Sequence, residues 1–290
     1  MMRKLAVTLS AAALAVASVL AATAPATAQD DANTTRLSEI RVMSFNIHHG
    51  ADGGDVLDLD RIAREIESSG AQIVGLQEVD RHWSARSAYQ DQAAWLAERL
   101  NMHYAYAPNL DLDPEPGHTD RRQYGTAVLS KYPILSSENH LLTNIQYAEK
   151  PTEQRGLLET VINVEGNHIS FYNTHLDHRR SEQRQLQVKE ILGITSGSGR
   201  PSLLVGDLNA IPTSTEMQQL MTRFTDVFAA LGQDTDYTMP VENPVSRIDY
   251  ILGHGDIRPR FAEVLRTTAS DHLPIIADVS VAQKPNGLVR

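Results

Sequence analysis

The sequence predicts a layered α/β domain whose β-sheets contain both parallel and antiparallel strands. Short apolar runs of strand length alternate along the chain with longer segments whose apolar residues repeat at helical spacing. This alternation is typical of layered α/β architecture. Two of the strand-like runs, residues 157–164 and 169–174, are joined by Glu165, Gly166 and Asn167. That connection has the composition of a β-hairpin, so mixed sheets are expected rather than a simple doubly wound fold.

The first part of the chain predicts two strands and two helices with recognisable ends. Asp58 suits the N-cap of a helix that runs to residue 69, and Gly70 ends it. One face of this helix is apolar and comprises Leu59, Ile62, Ala63 and Ile66. In chain order the predicted elements are a strand at 40–46, a helix at 58–69, a strand at 72–76 and a helix at 89–100.

The second part of the chain is dominated by strands. Apolar runs predict strands at 125–130, 157–164, 169–174, 203–205, 248–252 and 275–279. A helical pattern at 181–194 lies between two of them. Residues 111–122 are rich in Pro, Gly and charge, and are too short for a domain linker, so we expect a surface loop near a site.

The N-terminus has the features of a secretion signal. Arg3 and Lys4 precede an uncharged apolar run, and Ala26, Thr27 and Ala28 supply the small residues that signal peptidases accept. A membrane anchor is the alternative, because the run approaches spanning length, but its Ala-rich composition is only weakly hydrophobic. We therefore expect a secreted or extracytoplasmic protein without stable membrane association after cleavage. The predicted segments are a signal peptide at 1–28, a flexible tail at 29–39, a single catalytic domain at 40–282 and a C-terminal tail at 283–290.

Charge and cysteine content exclude several classes of function. The net charge is −10, and residues 1–28 carry two cations and no acids, so the cleaved chain would be near −12. Proteins that wrap nucleic acid are usually basic. The acidity argues against a tight nucleic-acid binder, although a fast-releasing nuclease stays open. The absence of cysteine excludes disulfides, thiolate nucleophiles and cysteine-based metal sites.

Polar residues of a few types follow or precede nearly every predicted strand, in the segments SFNIHHG, LQEVD, YNTHLDH, GDLNA and SDHLP. Strand ends are where ligand-handling residues gather in layered α/β proteins. Each residue alone has an ordinary explanation, such as a turn cap, an Asx-turn or a buried core histidine. Taken together they form one candidate set: Asn46, Glu78, His175, Asp207, Asn209, Asp249, Asp271 and His272.

The residue types of this set suit metal-dependent cleavage of a phosphate ester. Carboxylate and amide oxygens are ligands that Mg²⁺ prefers, and Mn²⁺ would suit the same shell. Histidine titrates near neutrality and can donate to a phosphate oxygen. Asp249 is available to hold the tautomer of His272.

The motifs SFNI, LQEVD, YGTAVLS, NTHLD, GDLNA, RIDYIL and SDHLP, in this order, resemble the endonuclease/exonuclease/phosphatase (DNase I-like) superfamily. The resemblance covers residues 41–281 and is strongest to the bacterial metal-dependent hydrolase branch. It implies a four-layer α/β sandwich, in which two mixed sheets pack face to face with helices on the outside. It also implies in-line attack of an activated water on phosphorus.

The resemblance assigns roles to the candidate residues. Metal binding falls to Asn46, Glu78 and Asp271. The catalytic residues are His175, Asp207, Asn209, Asp249 and His272. In these roles Asp207 orients or deprotonates water, and Asn209 positions water or phosphate. The two histidines contact phosphate oxygens.

Two further residues are candidates for substrate binding. Arg155 precedes a strand and would clamp a phosphate in a bidentate manner; a surface ion pair with Glu153 or Glu159 is the alternative. Tyr124 lies just before GTAVLS, where its phenol could line the cleft.

Three functions remain open at this point. The first is a phosphodiesterase or phosphomonoesterase acting on a small or lipid-derived phosphate ester outside the cytoplasm. The second is a secreted nuclease, for which nucleic acid is only a substrate and which needs basic and aromatic side chains along a groove; the sequence offers Arg121, Arg122, Arg179 and Arg180. The third is a binding module on the same fold. A monomer is expected in each case.

Overall fold

Two mixed β-sheets of six strands each form the centre of the protein, in a computed structural model that describes residues 37–282. The first sheet contains, in spatial order, β11 (Ile257–Val264), β12 (Ile275–Ala282), β1 (Leu37–Asn46), β2 (Ile73–Arg81), β4 (Arg122–Ser130) and β3 (His103–Leu112). The second contains β5 (Ile134–Leu141), β6 (Gly156–Val164), β7 (Asn167–His175), β8 (Ser202–Asp207), β10 (Asp249–His254) and β9 (Thr225–Asp226). The pairs β1–β2 and β7–β8 are parallel, and the other paired strands are antiparallel.

Helices cover the outer face of each sheet, which confirms the four-layer α/β sandwich. The helices are α1 (Leu59–Ser69), α2 (Gln92–Leu100), α3 (Ser181–Ser196), α4 (Thr215–Leu220) and the short α5 (Val227–Ala230). Side chains of both sheets, including Val42, Phe171 and Val205, share one central apolar layer. The helices α1 and α2 pack on the first sheet, and α3 and α4 pack on the second.

Helix ends follow local capping chemistry. The side chain of Asp58 accepts a hydrogen bond from Arg61 N at 2.9 Å, and Gly70 ends α1 in the left-handed conformation with φ +71°. The second helix begins at Gln92, later than the predicted residue 89, because Asp91 is its N-cap and Tyr89 has φ +53°. A positive φ cannot belong to a right-handed helix.

The edges of the sheets differ from the sequence-based expectation. The unpredicted strands β3, β5, β9 and β11 are all edge strands. Edge strands are paired on one side only and tolerate polar residues and proline, so their sequences lack long apolar runs. In addition, β1 begins at Leu37, which pairs with Ala282. Residues 37–39 therefore belong to the sheet and not to the predicted tail; residues 29–36 and the predicted signal peptide lie outside the described residues.

A β-bulge interrupts β2 where it pairs with β4. Leu76 pairs with Ala127 and Val79 with Gly125, so β2 contains one residue more than β4 across this stretch. The extra residue breaks the alternation of side chains between the two faces. Glu78 lies in the bulge with φ +57°, a conformation that non-glycine residues rarely adopt. The bulge thus sets the direction in which the Glu78 carboxylate points.

Asn173, on β7 of the opposite sheet, supports the bulge from across the core. Its amide nitrogen donates to Leu76 O and to Ala127 O, each at 2.8 Å, and its Oδ1 accepts from Gln77 Nε2 at 2.7 Å. These groups are buried, and a buried carbonyl without a partner is costly. Gly75 permits the close approach, because an added Cβ there would clash with Val205 Cγ2 and lie 3.1 Å from Asn173.

Within residues 37–282, the helices are too short or too polar to cross a lipid bilayer.

We expect the variant Asn173→Leu to lower the free energy of unfolding by about 2–4 kcal/mol, because it leaves two buried carbonyls and the Gln77 amide without partners. Urea denaturation measures this change. Asn163→Leu, which removes one hydrogen bond at the exposed β6–β7 hairpin, is the control and should cost at most about 1 kcal/mol. Equal losses in the two variants would contradict the role assigned to Asn173.

Candidate active site

The candidate residues meet where strand ends of the two sheets face each other. His175 ends β7, Asp207 ends β8 and Asp249 begins β10. In the second sheet, His175 pairs with Asp207 and Asp207 pairs with Asp249, so these three lie side by side. Asn46 ends β1 in the first sheet and lies 3.1 Å from Asp207 across the interface. The two sheets therefore build one site together.

Asp207 lies at the centre of this site and is 1% exposed. Its Oδ2 accepts from Asn46 Nδ2 at 3.1 Å and lies 3.4 Å from His175 Nε2 and 3.7 Å from His272 Nε2. Burial raises the pKa of Asp207 to about 7, and the neighbouring positive charge of His272 opposes that rise. A carboxylate with a pKa near neutrality is suited to accept a proton.

Asn46 links the residues predicted to hold a metal. Its Nδ2 donates to Glu78 Oε1 at 3.0 Å as well as to Asp207. Ser270 Oγ donates to Asn46 O at 2.7 Å and to Asp271 Oδ1 at 3.3 Å. The bulge in β2 thus brings Glu78 into contact with Asn46, and Ser270 connects Asp271 to the same asparagine.

His272 forms the predicted pair with Asp249. Its Nδ1 lies 3.0 Å from Asp249 Oδ2, and both residues are buried. Burial by itself lowers the pKa of His272, but the carboxylates of Asp249 and Asp207 outweigh this effect and raise it to about 10. The imidazole is therefore a cation at neutral pH, with Nε2 directed to the centre of the site.

His175, unlike His272, is neutral, and Arg155 fixes its tautomer. Burial lowers the pKa of His175 well below its ordinary value, and the positive charge of Arg155 lowers it further. Arg155 NH1 lies 3.2 Å from His175 Nδ1. Since a guanidinium can only donate, Nδ1 accepts and the proton of the neutral ring is on Nε2, facing Asp207.

Arg155 forms the ion pair with Glu153 that was the alternative to a phosphate clamp, but it does so in a buried position. It is 3% exposed, so the ion pair that it forms with Glu153 at 2.6 Å is not on the surface. Its NH2 also lies 3.3 Å from His178 Nδ1. The guanidinium therefore orients histidines, and bidentate clamping of a phosphate would require these contacts to rearrange.

Asn209 and Tyr124 border the site. Asn209 N donates to Asp207 Oδ1 at 2.9 Å, so the Asx-turn is present alongside the contacts of Asp207 to the site. Asn209 Nδ2 donates to Leu176 O at 3.1 Å, and the residue has φ +49°. Tyr124 is buried beside Trp83, with ring centroids 5.8 Å apart; burial and the charge of Glu78 raise the pKa of its phenol.

The donor set fits a hard divalent cation. Four carboxyl groups belong to this site, those of Glu78, Asp207, Asp249 and Asp271. The buried guanidinium of Arg155 does not neutralise them, because it is already paired with Glu153. An excess of carboxylate oxygens is what Mg²⁺ and related ions require. Ligand atoms of Asp207, Asp249 and His272 all lie within 4.8 Å of one another. A cationic His272 whose Nδ1 contacts Asp249 has no free lone pair for a metal. Asn46, Glu78 and Asp271 therefore stay the predicted metal ligands, with the carboxylates of Asp207 and Asp249 beside them.

Asn173 and Ser270 support the site but were not predicted to do so. Both are buried polar residues. Asn173 donates to Leu76 O at the bulge that contains Glu78, and Ser270 donates to Asn46 O and to the Asp271 carboxylate. A signal was present for Asn173, because asparagine is unfavourable inside an apolar strand unless its amide has partners.

The chain is similar in sequence and in fold to several known proteins. Residues 43–272 match the model of the Endonuclease/Exonuclease/phosphatase family. The protein cwh43 of Schizosaccharomyces pombe is 27% identical over 229 residues, which is 78% of this chain but 21% of cwh43. This chain thus spans about a fifth of the length of that relative.

Two further similarities extend over most of both proteins compared. The protein YbhP of Escherichia coli K12 is 28% identical over 264 residues, which is 84% of this chain and 98% of YbhP. A solved endonuclease/exonuclease/phosphatase structure from Beutenbergia cavernae superposes with a TM-score of 0.70 at 25% identity, covering 86% of this chain and 73% of that chain.

The two histidines should give the metal-free protein a pH-dependent stability with two distinct limbs. The pKa of His175 is lowered in the folded state, so its stabilising effect is present above about pH 6.5 and is lost as the pH falls below it. The pKa of His272 is raised to about 10, so its effect is present below about pH 6.5 and is lost as the pH rises toward 10.

Urea unfolding in EDTA across this pH range measures both limbs. We expect His272→Gln to flatten the alkaline limb and His175→Gln to flatten the acidic limb. An unchanged alkaline slope in His272→Gln, or an unchanged acidic slope in His175→Gln, would contradict the charge state assigned to that histidine.

Proposed function

The chain belongs to the endonuclease/exonuclease/phosphatase family, and on that premise we propose that it is a divalent-metal-dependent phosphoesterase that hydrolyses a phosphodiester or a phosphomonoester. Members of this family are hydrolases that act on phosphoesters. The observation that carries the proposal is the single cluster in which Asn46 joins Glu78 to Asp207, between one neutral and one cationic histidine.

Asp207 is the residue that activates water. Its Oδ1 is held by Asn209 N, while its Oδ2 lies between the Nε2 atoms of the two histidines. Because burial places the pKa of this carboxyl near 7, it can take a proton from a water molecule at neutral pH. The fixed orientation of the carboxylate favours in-line attack on phosphorus.

The histidines stabilise the phosphoryl group. His272, held by Asp249, presents a cationic N–H to the centre of the site, and His175 presents a neutral N–H set by Arg155. Preorganised donors of this kind lower the energy of the charge that develops on phosphoryl oxygens. A bound Mg²⁺ or Mn²⁺, held by Asn46, Glu78 and Asp271 with the neighbouring carboxylates, would supply further charge neutralisation.

A small or lipid-derived substrate is favoured over nucleic acid. Three of the four arginines that the sequence offered for a nuclease are paired with acids: Arg121 lies 2.6 Å from Asp111, Arg122 lies 3.2 Å from Glu115 and Arg180 lies 3.7 Å from Glu149. With a net charge of −10, these surfaces would attract polyanions weakly. The protein would act as a monomer on a phosphate ester, with nucleic acid only as an alternative substrate.

Activity with and without metal tests the proposal. The purified protein, in Mg²⁺ or in EDTA, would be assayed on bis-(p-nitrophenyl) phosphate, p-nitrophenyl phosphate, plasmid DNA and a phospholipid panel. We expect metal-dependent hydrolysis that falls by at least about 100-fold in His272→Gln and Asp207→Asn. Preferential nicking of plasmid DNA would instead favour the nuclease.

His103→Gln, an exposed histidine on β3, is the matched control and should retain activity. Circular dichroism would verify that each variant is folded. Metal-independent hydrolysis, or full activity of a folded His272→Gln variant, would refute the mechanism.

We also propose that residues 1–28 are removed during export, on the basis of the basic start, the apolar run and Ala26, Thr27 and Ala28. N-terminal sequencing of the protein from the extracytoplasmic fraction should begin at Gln29. Recovery of the intact N-terminus in the membrane fraction would favour the anchor instead.

A further inference from the structure

Two consecutive histidines follow β1 in an unusual backbone conformation. His48 has φ +43°, His49 has φ +46° and Gly50 has φ +79°. Left-handed conformations cost energy for non-glycine residues, and such strain tends to be retained at functional sites. Neither imidazole has a role in the phosphoesterase centre described above.

This turn directs both imidazoles toward one carboxylate. His48 Nε2 lies 3.8 Å from Asp55 Oδ1, and His49 Nε2 lies 3.9 Å from the same atom. The three ligand atoms are within 4.8 Å of one another. The two rings are in edge contact, with centroids 4.4 Å apart.

The orientation of His48 suits a metal ligand. Its Nδ1 lies 3.2 Å from the backbone carbonyl of Asp52. A carbonyl can only accept, so the neutral ring carries its proton on Nδ1 and exposes the lone pair of Nε2 toward Asp55. Ligating histidines are commonly fixed in this way by a backbone oxygen behind the ring.

We propose that His48, His49 and Asp55 form a second metal site, which binds a Zn²⁺-like cation and is separate from the carboxylate-rich centre. Two imidazoles and one carboxylate are a ligand set typical of zinc with one position left for water. Mg²⁺ prefers oxygen ligands, so the two sites would select different ions. This proposal does not depend on the phosphoesterase activity.

The distances require only a small closure of the loop. Zinc bonds of about 2.0–2.1 Å at tetrahedral angles place ligand atoms roughly 3.3 Å apart, about half an ångström less than the separations from Asp55. The side chain of Asp55 is 79% exposed and is free to move inward. The loop around it is closed by Asp52 Oδ1, which accepts from Gly54 N and Val56 N.

The proposed site borders the catalytic centre. His48 N donates to Asn46 Oδ1 at 3.1 Å, and an added Cβ on Gly53 would lie 3.9 Å from Asp271 Cβ. A cation bound by the histidines would therefore stabilise a turn that contacts Asn46 and lies near Asp271.

Calorimetric titration of EDTA-treated, untagged protein with ZnCl₂ tests the proposal. Excess Mg²⁺ in the buffer would compete with Zn²⁺ for the carboxylate centre, and we expect one equivalent of Zn²⁺ whose binding depends on Asp55 and His49. Asp55→Asn and His49→Ala should weaken this binding by more than the roughly 10–100-fold that loss of an outer-shell partner costs. Asp55 is exposed, so its variant remains informative if His49→Ala does not fold.

Matched variants locate the ion. Binding of Zn²⁺ should persist in Glu78→Gln and in the controls His103→Ala and Asp234→Asn, which change an exposed histidine and an exposed aspartate elsewhere. With Co²⁺ in place of Zn²⁺, the visible absorption of a tetrahedral complex should appear in the wild type and vanish in Asp55→Asn. Absence of Zn²⁺ binding, its loss in Glu78→Gln, or its survival in Asp55→Asn would overturn the proposal.

Discussion

The hydrogen bonds from Asn173 to the two carbonyls at the β2 bulge are the constraint on which the site depends. In a regular strand, side chains alternate between faces, and Gln77 already points into the core. Glu78 would then face the outer helices. The bulge breaks that alternation, and Asn173 satisfies the carbonyls of Leu76 and Ala127 at this irregular point. A residue of the second sheet thus determines where a carboxylate of the first sheet lies.

Contacts between polar side chains also set the charges of the two histidines in the site. From Arg155 through His175, Asp207 and His272 to Asp249, each polar group contacts the next. Arg155 and His272 donate, Asp207 and Asp249 accept, and His175 accepts at Nδ1 and donates at Nε2. Burial of Asp207 is tolerated because its oxygens are surrounded by donors from both sheets, and the two histidines differ in charge because one faces a guanidinium and the other faces two carboxylates.

Much of this organisation could be predicted from the sequence, and the exceptions share a physical cause. The central strands β7 and β8 contain apolar segments that end in polar residues, and these strand ends predicted His175 and Asp207 as site residues. The edge strands β3, β5, β9 and β11 lack that signal, because solvent covers one side of each. The bulge at Glu78 and the burial of Arg155 depend on contacts between residues far apart in the chain, which no local pattern encodes.

The pairing of β1 with β12 has a consequence for how the chain acquires its structure. Leu37 lies opposite Ala282, so the first strand completes its pairing only with the last one. Pairs so distant in sequence form late and slowly, since the entropy of closing a long loop opposes them. A growing chain therefore cannot complete its first sheet until synthesis has passed β12. Until then β1, which ends at Asn46, is paired with β2 alone. The candidate active site is therefore complete only in the finished molecule.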